Sequence, residues 1–262
     1  MKHAYTIIAD LHTHTLFSGH AHSTFSEMVG AARDKGLYAL AVTDHTGVMP
    51  GSPVDWYFSS LHELPLHYKG VLTIVGAETN ILDFEGNTDL GESYAGQLDW
   101  VVASIHRLGL PGLENPDVEK CTHLWSQIAK NPRVNIIAHS GDPLYAYDYE
   151  KVIPLFGENH KLVEINNHSF DARRQNIENC KKIALCCKKH GVPIVVSSDA
   201  HFEAYVGDFG HALEMLSEID FPEELILNAS AERLNDYLSR YTHIFEPVSY
   251  THLRAHETLM NL

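Results

Sequence analysis

The stretch ADLHTHT, Ala9 to Thr15, decides how the rest of the chain is read. It closes an apolar run at 5–9 that suits a buried strand, and it carries two histidines two positions apart. Along an extended chain, residues two apart point to the same side, ~6.5–7 Å from each other, so His12 and His14 can grip one ion together. On a helix the same spacing sends the two rings in different directions. An H-x-H pair at a strand end therefore reads as part of a chelate, completed by ligands from elsewhere.

Six further apolar runs follow, at 37–43, 71–77, 98–105, 134–138, 162–166 and 193–198. Helical patterns separate most of them. The first, 24–35, has Thr24 at its N-cap, Glu27 three residues on and Gly36 as a stop. Others are expected at 118–130, 148–156, 175–190, 205–218, 222–227 and 231–240. Strands buried on both faces and separated by helices imply a parallel sheet with βαβ crossovers. The 262 residues suit one α/β barrel of ~250 residues better than two domains, and seven runs without a linker favour a barrel over a doubly wound sheet. The insert at 48–70, rich in Pro, Trp, Tyr and His, is expected to lie over the barrel mouth.

Parallel barrels build their sites at the C-terminal ends of their strands. His12, His14 and His20 follow the first run, His45 the second, Glu78 the third, His106 the fourth, His139 the fifth, and Asp199 with His201 the seventh. The sixth ends in Glu164, Asn166 and Asn167. Taken singly, each histidine is an ordinary hydrogen-bonded residue; seven of them with two carboxylates, all at one rim, are a ligand set. Imidazole and carboxylate suit zinc, manganese or iron(II), and the lack of cysteine ligands argues against a closed structural zinc site. Nine ligands exceed the four to six or so that one ion takes, so two or three ions are expected, with a carboxylate shared between two.

The net charge of −15 opposes binding to phosphate backbones, so no nucleic-acid partner is expected. No signal-peptide pattern and no run of ~18 apolar residues is seen, so a cytoplasmic protein without a membrane partner is expected. Cys121, Cys180, Cys186 and Cys187 form no C-x-x-C pair and read as buried reduced thiols. Residues 248–262 fit neither a core helix nor a cap; they are expected to be non-native, which leaves one domain at 1–247.

The motifs DLHTHT, TDH, the glutamate after the third run, AHSG and SDAH, in this order, resemble those of the PHP (polymerase and histidinol phosphatase) family. The stand-alone PHP phosphatases are the nearest group, with further echoes in EINN at 164–167 and in SGHAHST. The resemblance spans about residues 5–245 and implies a distorted (β/α)7 barrel with a trinuclear site of zinc, or else manganese. By position, it implies that His12, His14, Glu78 and Asp199 hold one ion. Glu78 bridges to a second, held by His106 and His139, and His20, His45 and His201 hold the third. It also implies a homo-oligomer, a trimer.

Clustered divalent cations suit hydrolysis of a small phosphomonoester, a phosphorylated metabolite, with a metal-bridging hydroxide as nucleophile. His12, Glu78 and Asp199 are then the central catalytic ligands. Arg173, Arg174 and Arg107 are candidate donors to phosphate, and His168 a candidate lining residue. Asp10 and Asp44 are candidates to orient the ligand imidazoles, or else to cap backbone amides. Two other readings remain. One is an amidohydrolase-type deaminase or lactonase, in which His20, His45 and His201 are surplus. The other is a non-catalytic PHP accessory protein.

Overall fold

A computed structural model describes residues 5–246; the tail reading at 248–262 lies outside the described residues. Seven strands run parallel in one sheet, each bonded to the next: β1 (Ala9–Asp10), β2 (Ala39–Val42), β4 (Val71–Asn80), β5 (Trp100–Ser104), β6 (Ile136–Ile137), β7 (Leu162–Asn166) and β8 (Ile194–Ser197). The short β3 (His67–Tyr68) pairs antiparallel with β4. The helices are α1 (Phe25–Asp34), α2 (Asp55–Ser60), α3 (Val118–Lys130), α4 (Tyr149–Glu158), α5 (Ser169–Ala172), α6 (Ile177–His190), α7 (Gly210–Glu218) and α8 (Ala231–Tyr241). The architecture is a nearly closed α/β barrel of the TIM-like kind.

Side-chain alternation along the strands divides the core in two. Ala9, Ala39, Ala41, Leu72, Ile74, Trp100, Val102, Ile136 and Val195 point into the barrel, where Leu234, Tyr237 and Leu238 of α8 join them. Leu40, Val42, Val101, Ala103, Ile137, Val163 and Val196 face outward, in one cluster with apolar residues of α1, α3, α4, α6 and α7. The Trp100 ring meets Tyr237 edge-on and donates its indole N–H to Leu11 O at 3.0 Å, so α8 plugs the end at which the strands begin.

The ladder does not run directly from β8 back to β1. Asn228, fully buried, stands in the gap. Its Nδ2 donates to Ala9 O and Val196 O, both at 2.7 Å, its Oδ1 accepts from Val196 N at 3.1 Å, and its carbonyl accepts from Ile8 N at 2.9 Å. One side chain thus serves as a rung between first and last strands. Nearer the mouth the strand ends meet directly, through Asp199 N to His12 O at 3.0 Å and His14 N to Ala200 O at 2.9 Å. Asp10 belongs to this seam as well. Its carboxylate caps Ser198 N at 3.0 Å and Gly207 N at 2.8 Å, so of its two expected roles it takes the backbone one.

Several expected boundaries need correction. The first strand is confined to Ala9–Asp10, because Ile8 already pairs with Asn228 and with the Tyr38 backbone. The third run continues to Asn80, so Glu78 lies inside β4. The helix expected at 205–218 starts only at Gly210, because Gly207 takes a φ of +71° and the segment before it is tied to the barrel. The stretch 222–227 forms short 3-10 turns, which bring Asn228 into the seam. The insert at 48–70 packs against the loop after β1: a Cβ on Gly19 would lie 2.6 Å from Gly51 O, and the Phe17 and Tyr57 rings stack at 4.3 Å.

Candidate metal centre

All nine expected ligands are at the mouth, where the strands end. His12, His14, His45, Glu78, His139 and Asp199 are buried, and His20, His106 and His201 border them on the open side. Glu78 is the hub. Its Oε2 lies 2.8 Å from His45 Nδ1, 3.3 Å from His12 Nε2 and 3.4 Å from His14 Nε2. Its Oε1 lies 3.0 Å from His139 Nε2 and 3.5 Å from His106 Nε2. The two oxygens therefore face different sets of imidazoles. Asp199 Oδ1 lies 3.3 Å from His14 Nε2 and 3.8 Å from His12 Nε2. At the mouth, among the described residues, three sets have ligand atoms all within 4.8 Å of one another: His12–His14–Asp199, His14–His45–His201 and His45–Glu78–His106.

The outer nitrogens of the rings determine what the inner ones offer. His12 Nδ1 lies 2.7 Å from Glu164 Oε1, an oxygen that also accepts from Ser197 Oγ. His14 Nδ1 is 3.0 Å from Ser18 Oγ, whose hydroxyl donates to Asp44 at 2.6 Å. His106 Nδ1 is 2.7 Å from Asn80 Oδ1, an amide oriented by its own donation to Asp89. His201 Nδ1 is 2.9 Å from the Asp199 carbonyl. In each case the outer nitrogen faces an acceptor and must carry the proton, which leaves a lone pair on Nε2 in the neutral ring. The lone pairs of His12 and His14 converge, with their Nε2 atoms 3.1 Å apart, and His201 Nε2 lies 2.9 Å from His20 Nε2. Both nitrogens of buried His45 lack an aligned hydrogen-bond partner, despite the approach of Nδ1 to Glu78. Lone pairs aimed at lone pairs and at carboxylates repel unless a cation sits among them. The donor set fits divalent metal ions of the kind that imidazole and carboxylate bind.

Electrostatics agree. Burial opposes charge on Glu78, but His12, His45 and His106 outweigh it and hold the carboxyl well below its ordinary range. Burial likewise opposes the charge on Asp199, and His12, His14 and Arg173 reverse it. Burial, reinforced by His201 and His45, pushes His14 well below the usual imidazole value. Burial lowers His106 to about 3 against the pull of Glu78. Neutral rings beside ionised carboxylates are the ligand-competent state. His12 goes the other way: burial works against its proton, but Glu164, Glu78 and Asp199 raise it well above normal. A proton there relieves one contact of the nest and leaves the His20–His201 and His106–Glu78 contacts as they are.

Two of these residues sit in left-handed backbone, His139 with φ of +29° and Asp199 with φ of +55°. For residues other than glycine such conformations cost about 1–3 kcal/mol, and they collect where geometry serves a site. His139 is held by its own N–H, which donates to Glu164 Oε2 at 2.8 Å. Glu164 therefore ties the His12 ring and the His139 backbone together. Its place in EINN was visible in the sequence, but its role was not, because a carboxylate that touches only other protein groups carries no motif of its own. Ser18 and Asn80 were missed for the same reason.

Of the expected phosphate contacts, Arg173 and His168 line a cavity of about 530 Å³ beside His20, Asp199 and His201. Arg173 Nη1 is 3.1 Å from Asp199 Oδ2, and the residue also borders a second cavity of about 200 Å³ next to His106 and His139. Arg107 lines that smaller cavity but is held by Asp142 through contacts of 2.7 and 2.6 Å. Arg174 is exposed and lines neither. Asp44 acts through Ser18 rather than on an imidazole directly. The four cysteines are free and buried, and among the described residues no helix is long and apolar enough to cross a membrane.

A barrel with imidazoles and carboxylates gathered at its mouth has the build of a metal-dependent hydrolase. The model of the PHP domain family matches residues 10–168. A protein of Acetivibrio thermocellus named "Probable phosphatase" is 42% identical over 233 residues, covering 89% of this chain and 95% of its own. The chain belongs to the PHP domain family and, with such relatives, is a phosphatase-class enzyme. Among solved structures, the histidinol phosphate phosphatase of Lactococcus lactis, complexed with zinc, L-histidinol and phosphate, superposes with a TM-score of 0.56 at 16% identity, over 85% of this chain and 93% of its own. A chain of the cryo-EM structure of archaeal ribonuclease P with mature tRNA gives 0.60 at 10% identity, over 93% and 95%. At such identities the likeness is one of fold.

Proposed function

We propose that this protein releases inorganic phosphate from small phosphomonoesters at a centre of three divalent metal ions, zinc foremost and manganese or iron as alternatives. Its catalytic unit is residues 1–247. The observation that carries this reading is Glu78, a buried carboxylate whose two oxygens each face a different set of imidazoles. His12, His14 and Asp199 would hold one ion with Glu78, His106 and His139 a second with the same carboxylate, and His20, His45 and His201 a third. The bound ions supply positive charge for phosphoryl oxygens and an activated water near neutral pH.

The protein's own groups do the remaining work. Glu164 and the Ser18–Asp44 pair keep protons on the outer nitrogens of His12 and His14, so the inner nitrogens stay free. Asn80 does the same for His106. Arg173 stands between the two cavities, where its planar fork suits phosphoryl oxygens, and His168 lines the larger one with it. Aspartate and glutamate turned inward in number repel an anionic ester until cations offset them, which makes turnover dependent on metal. An amidohydrolase-type arrangement leaves His20 and His201 idle, whereas here their Nε2 atoms meet at 2.9 Å beside the other ligands.

The test is elemental analysis together with phosphate release. Protein stripped by chelator and reloaded with zinc or manganese is expected to hold close to three ions per chain and to hydrolyse p-nitrophenyl phosphate. No phosphate release from neutral to alkaline pH refutes the reading; a stoichiometry of one or two refutes the trinuclear assignment.

A further inference from the structure

The larger cavity, at about 530 Å³, has far more room than a phosphoryl group fills and falls in the usual range for whole small-molecule ligands. Its inner side is His20, Arg173, Asp199 and His201. Its outer side is different in kind: Phe202 and Tyr205, residues 40% and 60% exposed, form its wall. Their centroids are 6.5 Å apart and their planes 68° from parallel, so the two rings make a corner. A third flat ring can pack there against the face of one and the edge of the other.

The corner is fixed in place although its faces are free. Glu203 N donates to Ser23 Oγ at 3.0 Å, Lys35 Nζ to Ala204 O at 3.0 Å and also to Val206 O, and Gly207 N to the Asp10 carboxylate at 2.8 Å. Val206 is buried beneath. These ties hold the segment whether or not a ligand is present, so little ordering is lost on binding. Asp171 and Asp208 also line the cavity and disfavour further negative charge on a ligand.

We propose that Phe202 and Tyr205 form the leaving-group subsite, and that the preferred substrates are phosphomonoesters of small ring-bearing alcohols without an added carboxylate. This rests on the phosphatase reading and names the substrate class for it. With the phosphoryl group at the metal ligands and Arg173, the alcohol extends past His201 into the aromatic corner. An aromatic contact is worth about fivefold in binding.

The experiment compares 2-phenylethyl phosphate with n-pentyl phosphate, two esters of similar apolarity and alcohol acidity, on the metal-loaded enzyme. The ring-bearing ester is expected to have a kcat/KM about 25-fold higher, as two contacts of that size combine. Phe202→Ala and Tyr205→Ala are each expected to cut the ratio about fivefold. A carboxylate in the para position of the phenylethyl group is expected to lower kcat/KM about fivefold through Asp171 and Asp208. A ratio near one in the native enzyme, or one unchanged in both variants, overturns the subsite, as does a change in oligomeric state on gel filtration in place of a change in ratio. Should neither ester nor p-nitrophenyl phosphate release phosphate, the phosphatase reading fails. Calorimetric binding of 2-phenylethylphosphonate against pentylphosphonate then still decides the ring preference, and equal affinities overturn the subsite on their own.

Discussion

Replacing Asn228 by alanine tests the idea that one side chain closes the barrel. Three hydrogen bonds are lost, and they leave Ala9 O, Val196 O and Val196 N without partners in a fully buried seam. An orphaned buried polar group costs about 1–3 kcal/mol, so three of them, with partial relaxation, sum to about 4 kcal/mol. For a chain of this size each kcal/mol moves Tm by about 2–4 °C, which gives a fall of about 12 °C. The assay is thermal and urea unfolding followed by circular dichroism in excess chelator, so that bound metal does not add its own stabilisation. Asn228→Asp keeps the shape but turns an acceptor toward two carbonyls, and is expected to be at least as damaging. A second effect follows from position. The seam joins the strand that leads to His12 and His14 to the strand that leads to Asp199 and His201, so Asn228→Ala is also expected to weaken metal binding in protein that still folds. A Tm drop under about 3 °C, equivalent to about 1 kcal/mol, refutes the reasoning.

Glu78→Gln is expected to lower the metal content by at least one ion per chain and to reduce phosphate release on the order of 100-fold, read by elemental analysis and a phosphate assay. Glu164→Gln leaves every ligand in place but loses the carboxylate behind His12; a loss of ~10–100-fold in metal affinity is expected, measured by chelator competition. Arg173→Lys keeps the charge and loses the fork, so KM for the phosphomonoester is expected to rise more than kcat falls. Lys161 is buried, its ammonium donates to the carbonyls of Asn131 and Val134, and burial lowers it from 10.5 to about 8. Between those two values the unfolded chain binds the additional proton, so stability rises with pH across that window, by about 3 kcal/mol in total. Lys161→Met is expected to remove that rise in urea titrations between pH 8 and 10.5.

The barrel was legible because a strand buried on both faces leaves a continuous apolar run, and because a ligand at a strand end is a polar residue at a fixed offset from that run. His45 after β2, His106 after β5 and His139 after β6 are all of this kind. What was not legible depends on contacts across the fold. The start of β1 is set by Asn228, about two hundred residues later. The late start of α7 is set by Lys35 and Asp10, which hold the preceding segment from other parts of the barrel. Glu164 read as the end of a strand, and only the approach of His12 Nδ1 gives it a role. Arg107, Arg173 and Arg174 are indistinguishable in sequence; a neighbouring Asp142 ties up the first, and the turn of the chain exposes the third.

The ligands come from both ends of the chain, from His12 to Asp199 and His201, and the last two reach the rest only when β8 docks beside β1. During synthesis, the residues before Asp199 emerge with six of the seven ligand histidines and Glu78, but two of the three close ligand sets at the mouth still lack Asp199 or His201. Filling of those two sets is then a late event that reports completion of the barrel. The order of assembly is written into the distance between the first strand and the last.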